Sequence, residues 1–199
     1  MSEPRPAKRV NRDFLVGLFS GVLVTLAALL IGAYVSWNLS GGGLLSKPDI
    51  PAEIPAAQSL GLDFSGAVWT PAGTPTPLAA FRDQAIFLCF FASWCPPCKT
   101  ALPGIQRLRN RLKSTPGARI LLISGEGSET VRDFLNRNGY DLPVYIEDGS
   151  ISRRFGVEAI PVVFLLNRKG RVVFRHDGAA RWDGDAVVEF IRKLAGEHP

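Results

Sequence analysis

Residues 91–99 read FASWCPPCK. Cys95 and Cys98 stand two residues apart, with Pro96 and Pro97 between them and Trp94 in front. Such a pair is a metal site, a structural staple or a reactive dithiol. Zinc takes four ligands. The chain offers one further cysteine, Cys89, and two histidines, His176 and His198, the second beside the C-terminus, so no metal site is expected. A staple is also weak, because closing so short a loop removes little entropy from the unfolded chain. The flanking sequence favours the third choice. AIFLCFF (residues 85–91) is a continuous apolar run of strand length, as in a strand covered on both faces. Beyond the pair, Ala101, Leu102, Ile105, Leu108 and Leu112 recur at three- and four-residue steps, one face of a helix. Pro96 suits its first position, where the missing N–H costs nothing, and Pro103 should kink it. Cys95 then lies at a helix N-terminus, whose N–H groups and positive dipole end favour thiolate. Cys98, one turn on, can resolve a mixed disulfide formed at Cys95. The turn predicts one exposed attacking sulfur and one shielded resolving sulfur. Pro96 and Pro97 fix the backbone between them and tune the redox balance.

Working outward, LDFSGAVWTPAG (62–73) reads as an extended opening that ends in a Pro/Gly turn. ARILLIS (118–124) is a second buried strand. SETVRDFLNRNG (128–139) is a helix, with Ser128 as cap candidate and Gly139 as stop. LPVYIED (142–148) is a short strand and ISRRFG (151–156) one helical turn. PVVFLLN and RVVFRHD flank Arg168-Lys169-Gly170 as a hairpin. DGDAVVEFIRKLAG (183–196) closes the chain as a helix, capped at Asp183 or Asp185. Strands alternating with helices, then a hairpin and a last helix, predict an α/β sandwich around a mixed sheet.

Residues 14–37 are 24 consecutive uncharged positions. As a helix they span about 36 Å, against a hydrocarbon core of about 30 Å. Arg5, Lys8, Arg9 and Arg12 precede them, so the positive-inside rule leaves the N-terminus in the cytoplasm and exports the rest. Tyr34 and Trp37 fall where an interfacial aromatic belt lies. A cleaved signal peptide is the alternative, but its apolar stretch is about 7–15 residues and ends in a small-x-small site; GAYVSWNLSGGG offers no convincing one. Gly17, Gly21 and Thr25 form a small-residue stripe that could support a weak dimer through the helix. The expected organisation is a basic cytoplasmic tail (1–13), a transmembrane anchor (14–37), a Gly/Pro-rich linker (38–60) and one exported domain (61–199). The net charge of +5 is mild for 199 residues, and no Lys/Arg cluster suggests nucleic acid. Three cysteines leave at least one free, and export puts the pair where disulfide chemistry is active.

FASWCPPC after an apolar strand, Pro103 in the following helix and GVEAIPVVFLLNRKGRVVFRHDG (156–178) resemble the thioredoxin-like proteins of the TlpA/ResA/CcmG group. The resemblance runs from about Asp63 to the end of the chain. It implies a thioredoxin-like sandwich with a central mixed sheet, behind one N-terminal transmembrane helix, in the bacterial inner membrane with the domain in the periplasm. It implies a thiol–disulfide oxidoreductase acting on protein disulfides through a redox-active Cys95–Cys98 disulfide, without another cofactor. A membrane electron donor and a role in cytochrome c maturation come with the group. By the same resemblance Cys95 is the nucleophile, Cys98 the resolving thiol, Trp94 a neighbour packed beside them and Pro161 the cis-proline facing the pair. The backbone of Ile160 is then turned towards the sulfurs, where a substrate strand can pair.

The chain departs from the group at two positions. Cys89 stands six residues before Cys95, where an acid or Asn is usual, and Ala101 stands three after Cys98, where Glu is common. Both changes remove a group that could move protons for Cys98, leaving water, Glu158 or the substrate. Cys89 reads either as a buried small hydrophobe or as a third redox sulfur. Lys99, Arg153 and Arg154 read as solvated helix charges and His176 as a structural strand residue. Two other readings remain: a maturation factor for one disulfide-rich client, similar to MauD, and a copper-delivery module using the CxxC as a soft ligand pair.

Overall fold

The computed structural model describes residues 12–39 and 45–196, and within the first helix the side chains of residues 20–34. Two compact units divide between Leu44 and Leu45. The first contains helix α1 (Arg12–Leu39). Its described apolar side chains, Leu23, Leu30 and Tyr34 among them, are exposed. The Thr25 hydroxyl donates to the Gly21 carbonyl of its own helix at 3.0 Å. Among the described residues no helix is long and apolar enough to cross a membrane; residues 20–34 are a shorter stretch than the 24 uncharged positions of the sequence.

The second unit carries β1 (Ala67–Trp69), β2 (Pro75–Pro77), a 3-10 turn (Leu78–Phe81), β3 (Ala85–Phe90), α2 (Pro96–Leu112), β4 (Ala118–Ser124) and α3 (Ser128–Asn138). It continues with β5 (Val144–Ile146), α4 (Ser150–Arg154), β6 (Val162–Leu166), β7 (Val172–Asp177) and α5 (Asp185–Gly196). The strands form one sheet in the order β2-β1-β5-β4-β3-β6-β7. The pairs β3/β4 and β4/β5 are parallel and the rest antiparallel, so the sheet is mixed, as the element order predicts. β3 lies between β4 and β6, which explains why its whole run is apolar: both faces are covered.

Strand alternation sorts the core onto two faces. Ala85, Phe87 and Cys89 of β3 point to the side of α2, α3 and α5, where Leu102, Ile105, Phe134, Val188 and Trp182 pack. Ile86, Leu88 and Phe90 point to the other side, against Phe81, Ile151, Phe155 and Phe164. Phe87 meets the Trp182 ring edge-on at 5.2 Å. α2 continues through Pro103 as one element, its Leu102, Ile105 and Leu108 almost fully buried. Ser128 is the first helical residue of α3 and not its cap: Gly127 holds the cap position without a side-chain bond. Gly139 ends that helix in the left-handed conformation (φ 65°), as its place after Asn138 predicts.

Residues 46–60 lie against this unit. Ile50 and Ile54 pack on the α2/α5 side of the core. The Arg181 amide donates to Ser46 O at 2.9 Å and the Gln58 amide to Val172 O at 2.8 Å. Val172 N donates to Leu60 O at 3.0 Å, and Gly61 bridges Arg171, so this strap pairs with the start of β7 on its outer margin. The opposite margin is β2, two of whose three residues are prolines without an N–H. No part of the sequence pattern predicts β2 as a strand. Its pairing to β1 (Ala67↔Pro77, Trp69↔Pro75) is set by the turn at Thr70–Thr74.

Candidate active site: the Cys95–Cys98 turn

β3 ends at Phe90, and five residues carry the chain to α2. Phe91 N donates to Ile123 O (3.0 Å), extending the β4 ladder by one bond. Cys95 N then donates to Ala92 O (3.2 Å), closing a four-residue turn with Ser93 and Trp94 at its centre. Cys95 and Cys98 are joined as a disulfide at the mouth of α2. A helix begins with unsatisfied N–H groups. Here Pro96 and Pro97 have none, and Lys99 N donates to Cys95 O at 3.1 Å. The remaining group, Cys98 N, donates to Cys95 Sγ at 3.3 Å. Cys95 thus caps the helix as a Ser or Asp oxygen does elsewhere, with sulfur as the acceptor. The two prolines focus what the helix end offers onto one N–H, and that N–H points at the first sulfur.

The Ile160–Pro161 bond is cis. The Ile160 carbonyl oxygen lies 3.6 Å from Cys95 Sγ. The structure therefore brings together Cys95, Cys98, Ile160 and Pro161 from the α2 mouth and the start of β6. The expected exposed sulfur is not observed. Cys95 is 3% exposed and Cys98 1%, in the disulfide form. The burial is shallow, since Trp94 is 68% exposed and Pro96 and Pro97 face solvent.

Cys89 lies on β3 opposite Leu122 and Val163, on the same face of the sheet as Cys98. It is 1% exposed, and burial pushes its thiol up to about 12. Its Sγ lies 3.8 Å from Phe90 O. A thiol so desolvated stays protonated and packs as a small hydrophobe. Glu158 is exposed in the loop before β6, and its charge acts on the Arg175 guanidinium. His176 packs edge-on to Trp182 at 5.3 Å; burial lowers its pKa, and Asp177 partly offsets this.

Glu126, its partners Ser93 and Ser124, and Glu147 escaped the sequence reading. Glu126, just past β4, accepts from Ser93 N and from Ser93 Oγ, each at 2.6 Å, and from Ser124 Oγ at 3.2 Å. Ser124 Oγ in turn accepts from Glu126 N at 3.2 Å. Glu126 lies 33 positions from Ser93 in sequence, and SGEGS (124–128) reads locally as a helix entry. Glu147, 8% exposed, accepts from the Ile151 and Ser152 amides and so holds the start of α4. Trp94, Glu126, Glu147, Val157 and Ile160 line an open cavity of about 260 Å³ against the turn that precedes Cys95. A larger cavity of about 530 Å³ lies at the start of α5, among Lys47, Arg107, Arg181 and Asp183, and includes neither sulfur.

With this geometry, comparisons with known proteins are specific. Residues 58–175 match the AhpC/TSA family. The chain is 29% identical over 127 residues to the thiol-disulfide oxidoreductase ResA of Halalkalibacterium halodurans, covering 63% of this chain and 70% of that one. It is 32% identical over 95 residues to the sporulation thiol-disulfide oxidoreductase A of Bacillus subtilis, covering 46% and 58%. In fold it is similar to a thiol:disulfide interchange protein of the thioredoxin family from Chlorobium tepidum (TM-score 0.58, 24% identity, 69% and 99% covered). It is similar also to StoA from Bacillus subtilis (TM-score 0.53, 24% identity, 72% and 98% covered). The domain thus has a thioredoxin-like α/β fold.

Proposed function

The chain belongs to the AhpC/TSA family, and from that premise we infer that it is a thiol–disulfide oxidoreductase of the ResA type acting on protein disulfides. The observation that carries the reading is the capping sulfur: Cys95 Sγ accepts the Cys98 N–H at a helix mouth, 3.6 Å from the Ile160 carbonyl. That N–H and the helix dipole stabilise a thiolate at Cys95 when the pair is reduced.

The exchange runs in two steps. The Cys95 thiolate attacks one sulfur of a substrate disulfide, forming a mixed disulfide and expelling the first substrate thiolate. Cys98, deprotonated, then attacks Cys95 Sγ and releases the second substrate thiolate. Two electrons pass to the substrate, and the protein ends with the Cys95–Cys98 disulfide that the structure holds. A dithiol donor restores the pair by the reverse exchange. The two sulfurs supply all the redox chemistry this requires. Cys89, kept protonated by its burial, takes no part in the exchange.

We propose further that residues 14–37 anchor the protein in the bacterial inner membrane and that the domain works in the periplasm. The uncharged 24-residue run and the basic flank before it support this. The donor is then a membrane-embedded dithiol protein, and cytochrome c maturation is the process the reading favours.

The test is a mixed-disulfide trap. Cys98→Ala in the full chain should accumulate covalent adducts with client proteins through Cys95, and Cys95→Ser should abolish both adducts and insulin reduction. A reduced wild-type protein whose Cys95 alkylates no faster than free cysteine, and which fails to reduce insulin, would sink the reading.

A further inference from the structure

We propose that Glu126 is a positioning residue for Cys95, holding through Ser93 the turn that presents the sulfur. This rests on the oxidoreductase reading above. Both carboxylate oxygens are engaged, Oε1 by the Ser93 hydroxyl and Oε2 by the Ser93 amide and the Ser124 hydroxyl. The two bonds to Ser93 are 2.6 Å long, in the range of strong charge-assisted bonds.

The segment between β3 and α2 needs such a tie. Its backbone anchors are Phe91 N to Ile123 O at one end and the Ala92–Cys95 turn bond at the other. Between them stand the central residues Ser93 and Trp94, of which Trp94 lines the cavity and is 68% exposed. Ser93 is the central residue that the Glu126 clamp holds. Glu126 is itself fixed to the end of β4, because its own amide donates to the Ser124 hydroxyl. The chain of contacts therefore runs from the central sheet through Ser124 and Glu126 to Ser93, two residues before the sulfur. Cys95 must keep its Sγ within reach of the single Cys98 N–H and below Ile160 while the pair changes between dithiol and disulfide. A loose turn would spread the sulfur over positions where neither contact is made.

Two substitutions separate the clamp from its charge. Glu126→Gln keeps an acceptor for the Ser93 amide and a donor for its hydroxyl while removing the charge. Glu126→Ala removes both. Insulin reduction by the full chain should stay within about threefold of wild type for Glu126→Gln and fall about tenfold for Glu126→Ala. The pH profile of Cys95 alkylation by iodoacetamide should move to higher pH in Glu126→Ala relative to Glu126→Gln. Equal rates and profiles for the two variants overturn the proposal, whether both match wild type or both fall together. Ser93→Ala serves if Glu126→Ala does not fold: it deletes one of the two clamp bonds and should cost about threefold, and a wild-type rate refutes the clamp. The alkylation profile needs no substrate, so it still reports on the clamp if wild type proves unable to turn over insulin.

Discussion

Cys89 offers the sharpest quantitative test. The perturbation is Cys89→Ser, made in a Cys95→Ser/Cys98→Ser background so that no thiol can exchange during unfolding. Cys89 is fully buried on β3, and its pKa rises from the ordinary 9.0 to about 12 because burial disfavours the thiolate. The folded pKa is thus above the unfolded one. Its contribution is intact below pH 9 and is lost as pH rises towards 12, because the unfolded chain releases a proton that the folded chain keeps. The slope is about 1.4 kcal/mol per pH unit in that window. Between pH 8 and pH 10.5 the parent therefore loses about 2 kcal/mol that the serine variant does not. At pH 8 the variant itself should be less stable by roughly 1–3 kcal/mol, from lost packing and a desolvated hydroxyl. The assay is urea unfolding followed by tryptophan fluorescence at both pH values. The variant's deficit should shrink by about 2 kcal/mol at the higher pH. A deficit unchanged across that range would refute the desolvation argument. In the dithiol-competent chain, insulin turnover by Cys89→Ser should stay within about twofold of wild type, since at pH 7 the Cys89 thiolate fraction is only about 10⁻⁵.

Trp182→Ala should cost about 3–5 kcal/mol in chemical denaturation, because the ring is 1% exposed and meets both Phe87 and His176 edge-on. Gln58→Pro deletes the amide that bonds Val172 O, leaving a carbonyl at the sheet margin unpaired; a loss of about 1–3 kcal/mol is expected, read as a melting drop of several degrees. His176 titrates below its ordinary 6.5 in the fold, so its contribution is present above that pH and is lost as pH falls; a urea-stability profile from pH 7 to 5 should be flatter in His176→Gln than in wild type.

The fold was legible where the chain is continuous or periodic. Residues 85–91, 120–123 and 162–166 are unbroken apolar runs because each lies in an inner strand covered on two faces, and α2, α3 and α5 keep an apolar stripe because one face of each is buried. β2 was not legible, since Pro75 and Pro77 argue against a strand in any place but a margin. The strap was not legible either: its Pro-rich composition matches a linker, and the Ile50/Ile54 pair that docks it is too short a pattern to stand out. At the site, the sequence located both sulfurs and, through resemblance, the proline. The carbonyl beside Cys95 comes from Ile160, 65 residues away, and the Ser93 clamp depends on Glu126, 33 residues away. Contacts between loops at such separations leave no local signature.

Both borders of the sheet are guarded, one by a Pro-Thr-Pro strand and the other, at the start of β7, by the residues before Leu62. An open border offers unpaired N–H and C=O groups to extended segments of other chains and would recruit them into lasting polymers. With both rims guarded in this way, lateral growth of the sheet is opposed. On the proposed function, a client's main chain would then dock only beside the disulfide, at Ile160, and such an encounter could end as soon as the sulfur exchange is complete.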